Sequence, residues 1–415
     1  MISIALMGHG TVGSGVVEVL TKNHESIVHK AGEEINIKYI LDLRDFPDSP
    51  YADRFIKDFS IIENDDDVKI VVECLGGLHP SYEFVKRCLL AGKSVATSNK
   101  ELVAEKGDEL LKIAKENNLN FLFEASVGGG IPILRPLDQC LAANEVYEIA
   151  GILNGTTNFI LTKMIREQMP FDKALSLAQS LGYAERDPSA DINGDDACRK
   201  ICILASLAFG KHVYPNQCYT EGISKITLED VEYASNWGGV IKLIGRCKKL
   251  DDGRVTLMVS PGIVHIGGQL AGVEDVFNAI LVRGDAIGDV VFYGRGAGKM
   301  PTASAVVADV IDCVKHIKAR KYLFWESGSQ DYVADYRENK VKFYIRAMSP
   351  DANAAYDKAK EIFGNDIQRL HREAEPAGEV AFVTNEDTEL VLNQRIRIFE
   401  NSGASVIGNI RIFDY

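Results

Sequence analysis

No stretch of this 415-residue chain comes near the roughly 20 consecutive apolar residues a membrane-spanning helix needs. There is no Cys-x-x-Cys pair either. The eight cysteines (Cys74, Cys88, Cys140, Cys198, Cys202, Cys218, Cys247 and Cys313) are scattered. Disulfide-stapled domains are short and cysteine-dense, and this chain is neither, so a reducing compartment is expected. Cationic excess is also missing: Lys+Arg 46 against Asp+Glu 59 leave a formal charge of −13. A surface that acidic repels phosphate backbones, which argues against nucleic-acid binding. Anionic small molecules stay open as partners through a local cationic pocket. Low-complexity tracts and repeats are lacking. The opening MISIALMGHG has no basic region and runs straight into glycines, so it reads as a buried first strand and not a signal peptide. The expectation is a cytoplasmic protein with neither membrane nor nucleic acid as partner.

What the chain does have is core material. It is 46% hydrophobic and 25% charged, enough for two or three domains at about 150 residues each. Over residues 1–135, short apolar runs (2–7, 37–41, 70–75, 94–98 and 120–125) alternate with amphipathic segments such as 81–92 and 107–118. That alternation indicates βαβ units and a parallel sheet. Residues 136–300 mix strands, helices and Gly-rich turns, and a long helical pattern follows over 301–319. The segment 321–336 reads as a linker. From 337 to 415 the order is strand 340–348, helix 351–363, strands 366–373 and 378–384, helix 388–403, strand 405–413: a βαββαβ, ferredoxin-like unit. The fold class is therefore α/β, with a Rossmann-type nucleotide domain, an α+β middle domain and a ferredoxin-like tail.

Gly8-His9-Gly10-Thr11-Val12-Gly13 matches GxGxxG between a strand and a helix. In that context the three glycines serve a tight turn, backbone approach to a pyrophosphate, and close helix–strand packing. The helix N-terminus then offers free N–H groups to the phosphates. At the end of the second strand stand both Asp42, suited to the ribose hydroxyls of NAD, and Arg44, suited to the 2′-phosphate of NADP. Both lie on one side of the strand. The reading leans to NADP through Arg44, with NAD through Asp42 as the alternative.

GHGTVGSGV, SNKEL (98–102), FEASVGGGIPI (123–133), GILNGTTNFIL (151–161), GYAERDPSADINGDDACRK (182–200) and GAGKMPTASAVVAD (296–309) together resemble homoserine dehydrogenase. The resemblance spans about residues 1–320, and the tail resembles an ACT regulatory domain. It implies reversible reduction of L-aspartate 4-semialdehyde to L-homoserine with NAD(P)H, in threonine, methionine and isoleucine biosynthesis. It makes Lys200 the proton donor, with Lys100 as a second candidate and a solvated helix lysine as the competing reading of Lys200. Glu185 and Asp196 become substrate carboxylates, with Tyr183, Gly155 and Thr156 beside the substrate. An i,i+4 surface pair with Lys200 is the plainer alternative for Asp196, and Asp191 or Asp195 could share its work. Cofactor contacts fall on the loop (Gly8, Gly10, Thr11, Val12, Gly13), Arg44, Ser98, Lys100, Gly182, Glu185, Gly296 and Gly298.

The resemblance also implies a structural sodium ion at Glu124 with the carbonyls of Val127, Gly129 and Ile131. The domains become 1–135 for the dinucleotide, completed by 301–320; 136–300 for substrate and dimerisation; and 337–415 for regulation or assembly, in a homodimer or homotetramer. ACT domains that bind an amino acid carry D-x-x-G at the first strand–helix turn. Here that turn reads Ser349-Pro350-Asp351-Ala352-Asn353-Ala354-Ala355, without glycine. A threonine effector and a purely assembling tail both stay open. The competing function is another NAD(P)-dependent amino-acid oxidoreductase on the same scaffold. Because every catalytic block precedes residue 310, deletion beyond about 336 is expected to leave an active enzyme.

Overall fold

The computed structural model describes residues 1–319 and 323–415. Residue 320 of the expected completing segment, and 321 and 322 of the expected linker, lie outside the described residues. Six strands build the first sheet: β1 Ile2–Met7, β2 Ile35–Leu41, β3 Phe55–Ile56, β4 Val68–Glu73, β5 Ser94–Thr97 and β6 Phe121–Leu122. Their order is β3-β2-β1-β4-β5-β6, and every neighbouring pair is parallel. Both faces are covered. Ala5 and Met7 pack into one core while Ile4 and Leu6 pack into the other, which is why β1 is a continuous apolar run without alternation. The strand order reverses between β1 and β4, so their carboxyl ends open a ligand crevice.

The long helix from the far end of the sequence, Lys299–Lys315, belongs to this layer. Its Ala303, Val306, Val307 and Val310 share one buried cluster with Ile4, Leu6 and Val16. It comes close because position 15 is glycine: a Cβ there would stand 2.9 Å from both Ala303 Cβ and the Lys299 carbonyl oxygen.

A second, mixed sheet contains β7 Val146–Ile152, β8 Tyr219–Thr220, β9 Gly239–Lys249, β10 Val255–His265, β11 Phe277–Gly284, β12 Gly288–Arg295, β13 Lys340–Met348, β14 Gln368–Leu370, β15 Glu379–Val383, β16 Asp387–Thr388 and β17 Ser405–Phe413. Its main path runs β12-β11-β7-β9-β10-β17-β13-β15-β14, with β8 on β10 and β16 on β13. Within the tail the order β17-β13-β15-β14 is the antiparallel 4-1-3-2 arrangement of a ferredoxin-like unit. β13 and β17 coincide with the sequence reading to the residue, whereas the strand expected over 366–373 shrinks to β14.

The tail is joined to the middle of the chain by backbone and charge together. β17 pairs in parallel with β10, Gly262 to Val264 against Arg411 to Phe413. A Cβ at Gly262 would stand 2.3 Å from the Phe413 ring, so only glycine lets the strands meet. Buried Arg411 bridges Glu389 at 2.6 Å and Glu221 at 2.8 Å. Arg346 lies 3.2 Å from Asp230, to which Tyr344 donates its hydroxyl at 3.1 Å. The terminal Tyr415 is 1% exposed and donates to Glu148, which Arg246 also holds at 2.7 Å. Stripping one partner from a buried pair costs about 3–5 kcal/mol, and several would be stripped at once. The expectation of a dispensable tail therefore reverses. Deletion after residue 336 should yield protein that aggregates or melts far below the full chain, as soluble yield and thermal unfolding would read. A soluble, fully active truncation would show that β10 tolerates an open edge.

Candidate active site

The glycine loop leaves β1 at Gly8, whose φ of +92° no ordinary L residue adopts comfortably. A Cβ at Gly13 would lie 1.9 Å from the Gly8 carbonyl oxygen, so the third glycine lets the helix Thr11–Lys22 close onto the turn. A Cβ at Gly10 would meet nothing within 4 Å, so this is the open side of the loop. The helix has no side-chain cap and no acid in its first turn, which leaves its N-terminal N–H groups for an anion. A dinucleotide pyrophosphate fits that cradle. Beside it, Asp42 accepts the His9 backbone N–H at 2.8 Å and a two-point contact from Arg44, Nε at 3.0 Å and Nη2 at 2.9 Å. The Arg44 guanidinium holds the Asp42 carboxyl well below the usual carboxylate range.

The second centre forms where two helices converge. Asn99 caps the helix Lys100–Glu116 by accepting the Leu102 N–H, which sets Lys100 at the carboxyl end of β5. Gly194, at φ +92°, starts the helix Asp195–Phe209, on which Asp196 and Lys200 are one turn apart. Lys100 Nζ lies 2.6 Å from Asp196 Oδ1, and Lys200 Nζ lies 2.7 Å from Oδ2. One carboxylate thus holds two ammonium groups. Lys200 also donates to the Leu153 carbonyl at 2.7 Å, which occupies two of its three donors.

The two lysines differ in setting. Burial pushes the Lys200 ammonium below the ordinary lysine value, and Asp196 restores only part of the loss. Lys100, about two-fifths exposed, is raised by the charge of Asp196. For Asp196 itself burial acts upward, yet the charges of Lys200 and Lys100 hold it well below its ordinary value. Burial and the Asp196 charge push the neighbouring Asp191 carboxyl up.

Of the other residues singled out from the sequence, Thr156 lies nearby but donates its hydroxyl to the Tyr183 carbonyl at 2.6 Å, tying the turn to the helix Gly155–Glu167. Gly155 admits a close approach, since a Cβ would lie 2.9 Å from the Val276 carbonyl. Gly182, Tyr183 and Glu185 sit in an exposed turn, where the Glu185 carboxylate has no hydrogen-bond partner among the described residues. Ser98 follows β5, its N–H on the Glu73 carbonyl at 3.3 Å. Gly296 packs on the buried Asn278 amide, and Gly298 has φ +115°. The Glu124 carboxylate accepts the N–H groups of Ile133, Leu134 and Arg135 at 2.7 to 2.8 Å and lies beside the Arg135 guanidinium. Val127, Gly129 and Ile131 form the turn that follows, with Gly129 against the Gly296 carbonyl.

The family model for the homoserine dehydrogenase NAD-binding domain matches residues 8–124, and the homoserine dehydrogenase model matches 132–311. This chain belongs to the homoserine dehydrogenase family. A homoserine dehydrogenase of Bacillus subtilis is 41% identical over 322 residues, 76% of this chain and 74% of its own. The solved homoserine dehydrogenase of Thiobacillus denitrificans superposes with a TM-score of 0.90 at 34% identity, covering 100% of this chain and 98% of its own. A hyperthermophilic archaeal homoserine dehydrogenase, solved in complex with NADPH, superposes with a TM-score of 0.64 at 29% identity, covering 75% of this chain and 97% of its own. The enzyme is therefore an NAD(P)-dependent oxidoreductase that interconverts L-aspartate 4-semialdehyde and L-homoserine. No helix among the described residues is long and apolar enough to cross a membrane.

Sequence reasoning missed the residue that arranges the acids. Asn154 donates one amide nitrogen to Asp191 at 2.7 Å and to Asp196 at 2.9 Å, while its oxygen caps the following helix through the Thr157 N–H. The signal was available: an asparagine before Gly-Thr-Thr and an apolar run is an N-cap pattern. Replacing Asp196 with alanine should lower the Lys200 pKa further, because burial and the Lys100 charge then meet only the weaker pull of Asp191. The basic limb of the pH profile for semialdehyde reduction should move to lower pH, and an unmoved limb would detach Lys200 from that limb.

Proposed function

We propose that Lys200 is the proton donor of semialdehyde reduction, and that Lys100 stays charged to orient and polarise the substrate carbonyl. The support is the contrast in environment around one carboxylate, Asp196. A bound nicotinamide supplies the hydride. Lys200, with its third N–H free, hands its proton to the oxygen that becomes the alcohol, and in the reverse direction the neutral amine takes it back. Its lowered pKa shortens the gap to working pH, and the proton-rich form favours reduction while the neutral form favours oxidation. Asp196 holds both ammonium groups and, with Asp191 and Glu185, offers negative charge to the substrate ammonium. Gly155, Thr156, Gly182 and Tyr183 shape the wall behind it. Replacing Lys200 with alanine should leave cofactor binding intact while kcat falls roughly 10²–10⁴-fold. NADPH oxidation driven by aspartate semialdehyde measures this, and retained turnover would move the role to Lys100.

The cofactor reading is NADP before NAD. Gly10, Thr11, Val12 and Gly13 would hold the pyrophosphate at the helix N-terminus, Ser98 would line the nicotinamide side, and Gly296 and Gly298 would close the loop opposite. Arg44 is over half exposed and needs only to swing from Asp42 to meet a 2′-phosphate. Replacing Arg44 with alanine should weaken NADP binding and spare NAD, as titration with each cofactor would read. An equal response to both would make Asp42 the arbiter.

The same proposal takes residues 1–135 with 301–320 as the nucleotide domain, 136–300 as the substrate and dimerisation domain of a cytoplasmic homodimer or homotetramer, and 337–415 as an ACT domain. Asp351 caps the helix Ala352–Phe363 with its own carboxylate, accepting the N–H groups of Asn353 and Ala354. Two of the donors an amino-acid effector such as threonine would use are thereby taken, which favours assembly over threonine feedback. A sodium ion between the carbonyls of Glu124, Val127, Gly129 and Ile131 would brace the turn. The Glu124 carboxylate, committed to three N–H groups, would serve from outside the ligand set.

A further inference from the structure

The helix that carries Asp196 and Lys200 carries a second chemical group on its other side. At 3.6 residues per turn, Cys198 and Cys202 share one face, about half a turn away from the face of Asp196 and Lys200. Cys218 joins them from the segment between the turn Pro215–Gln217 and β8. All three are buried free thiols, and their sulfur atoms lie within 4.8 Å of one another. Nothing in the reduction of an aldehyde uses them.

We propose that Cys198, Cys202 and Cys218 form a three-coordinate site for a soft, thiophilic cation, copper(I). Two observations converge on it. The first is spacing: sulfurs bound about 2.3 Å from one centre in a plane stand about 4 Å apart, within the separations already present. The second is ligand number. Among the described residues no fourth His, Cys, Asp or Glu joins the trio, whereas structural zinc requires four ligands. Soft sulfur ligands without oxygen or imidazole select copper(I) among the metals that accept fewer. On binding, copper(I) displaces the thiol protons to solvent and is held by the sulfurs as thiolates. No electron is transferred.

The alternative chemistry, a disulfide, is less well served. A disulfide would join only two of the three sulfurs and needs an external oxidant, whereas copper(I) uses all three. Cys218 lies beside the partly exposed turn Pro215–Gln217, which gives an ion a short way in. Cys198 donates its S–H towards the Pro215 carbonyl of the same turn at 3.5 Å.

The experiment uses the full chain carrying Cys140→Ser, because Cys140 is the exposed thiol and would bind copper adventitiously. Copper(I) is presented anaerobically as its complex with a chromophoric chelator. The expected result is transfer of one copper per chain, with three sulfur neighbours by X-ray absorption. Cys218→Ser and, separately, Cys202→Ala should each reduce retention against the chelator at least tenfold. Either variant suffices if the other fails to fold, as circular dichroism would tell. Absence of transfer, equal retention by the folded variants, or two sulfurs in place of three would overturn the site. So would loss of two hydrogens by mass spectrometry, the mark of a disulfide within the trio.

Discussion

Asp196 holds two ammonium groups that arrive from opposite parts of the molecule. Lys100 begins the helix after β5 of the parallel sheet, and Lys200 stands one turn beyond Asp196 on the helix packed against the mixed sheet. A carboxylate at 5% exposure is costly alone, and so is an ammonium at 7%. Together with Asn154 and the Leu153 carbonyl they satisfy one another. The contact that pairs these charges also fixes how the helix after β5 meets the helix that carries Asp196 and Lys200.

That shared carboxylate leaves the two lysines in different electrostatic states. Both touch Asp196 at nearly the same distance, so the pairing alone cannot separate them. Depth does. Lys200 loses hydration that its partner only partly replaces, while Lys100 keeps solvent and gains the charge. An ammonium pushed down and one held up thus arise from the same residue type.

The tail follows the same rule at larger scale. Its strands extend the mixed sheet through β10, and buried polar groups on one side meet partners on the other: Arg411 with Glu221, Arg346 with Asp230, and the Tyr415 hydroxyl with Glu148. Trp325, after the nucleotide layer, is buried against Gly107 and donates to His212. A Cβ at Gly107 would enter the Trp325 ring, so the connecting segment is packed into the junction of the layers.

Local chemistry was legible in the sequence. The loop glycines, the apolar runs of the parallel sheet and the first and last strands of the tail follow from periodicity and backbone freedom, which act within a few residues. The site motifs also named Lys100, Asp196 and Lys200 individually. Tertiary structure alone decided what depends on residues far apart in the chain. It put Lys100 on the same carboxylate as Lys200, bent Arg44 onto Asp42, and assigned the Glu124 carboxylate to backbone donors. It also drew Cys218 to Cys198 and Cys202, and joined β17 to β10. Burial and the pairing of distant charges are properties of the packed chain, because a residue's hydration is set by whichever elements close over it.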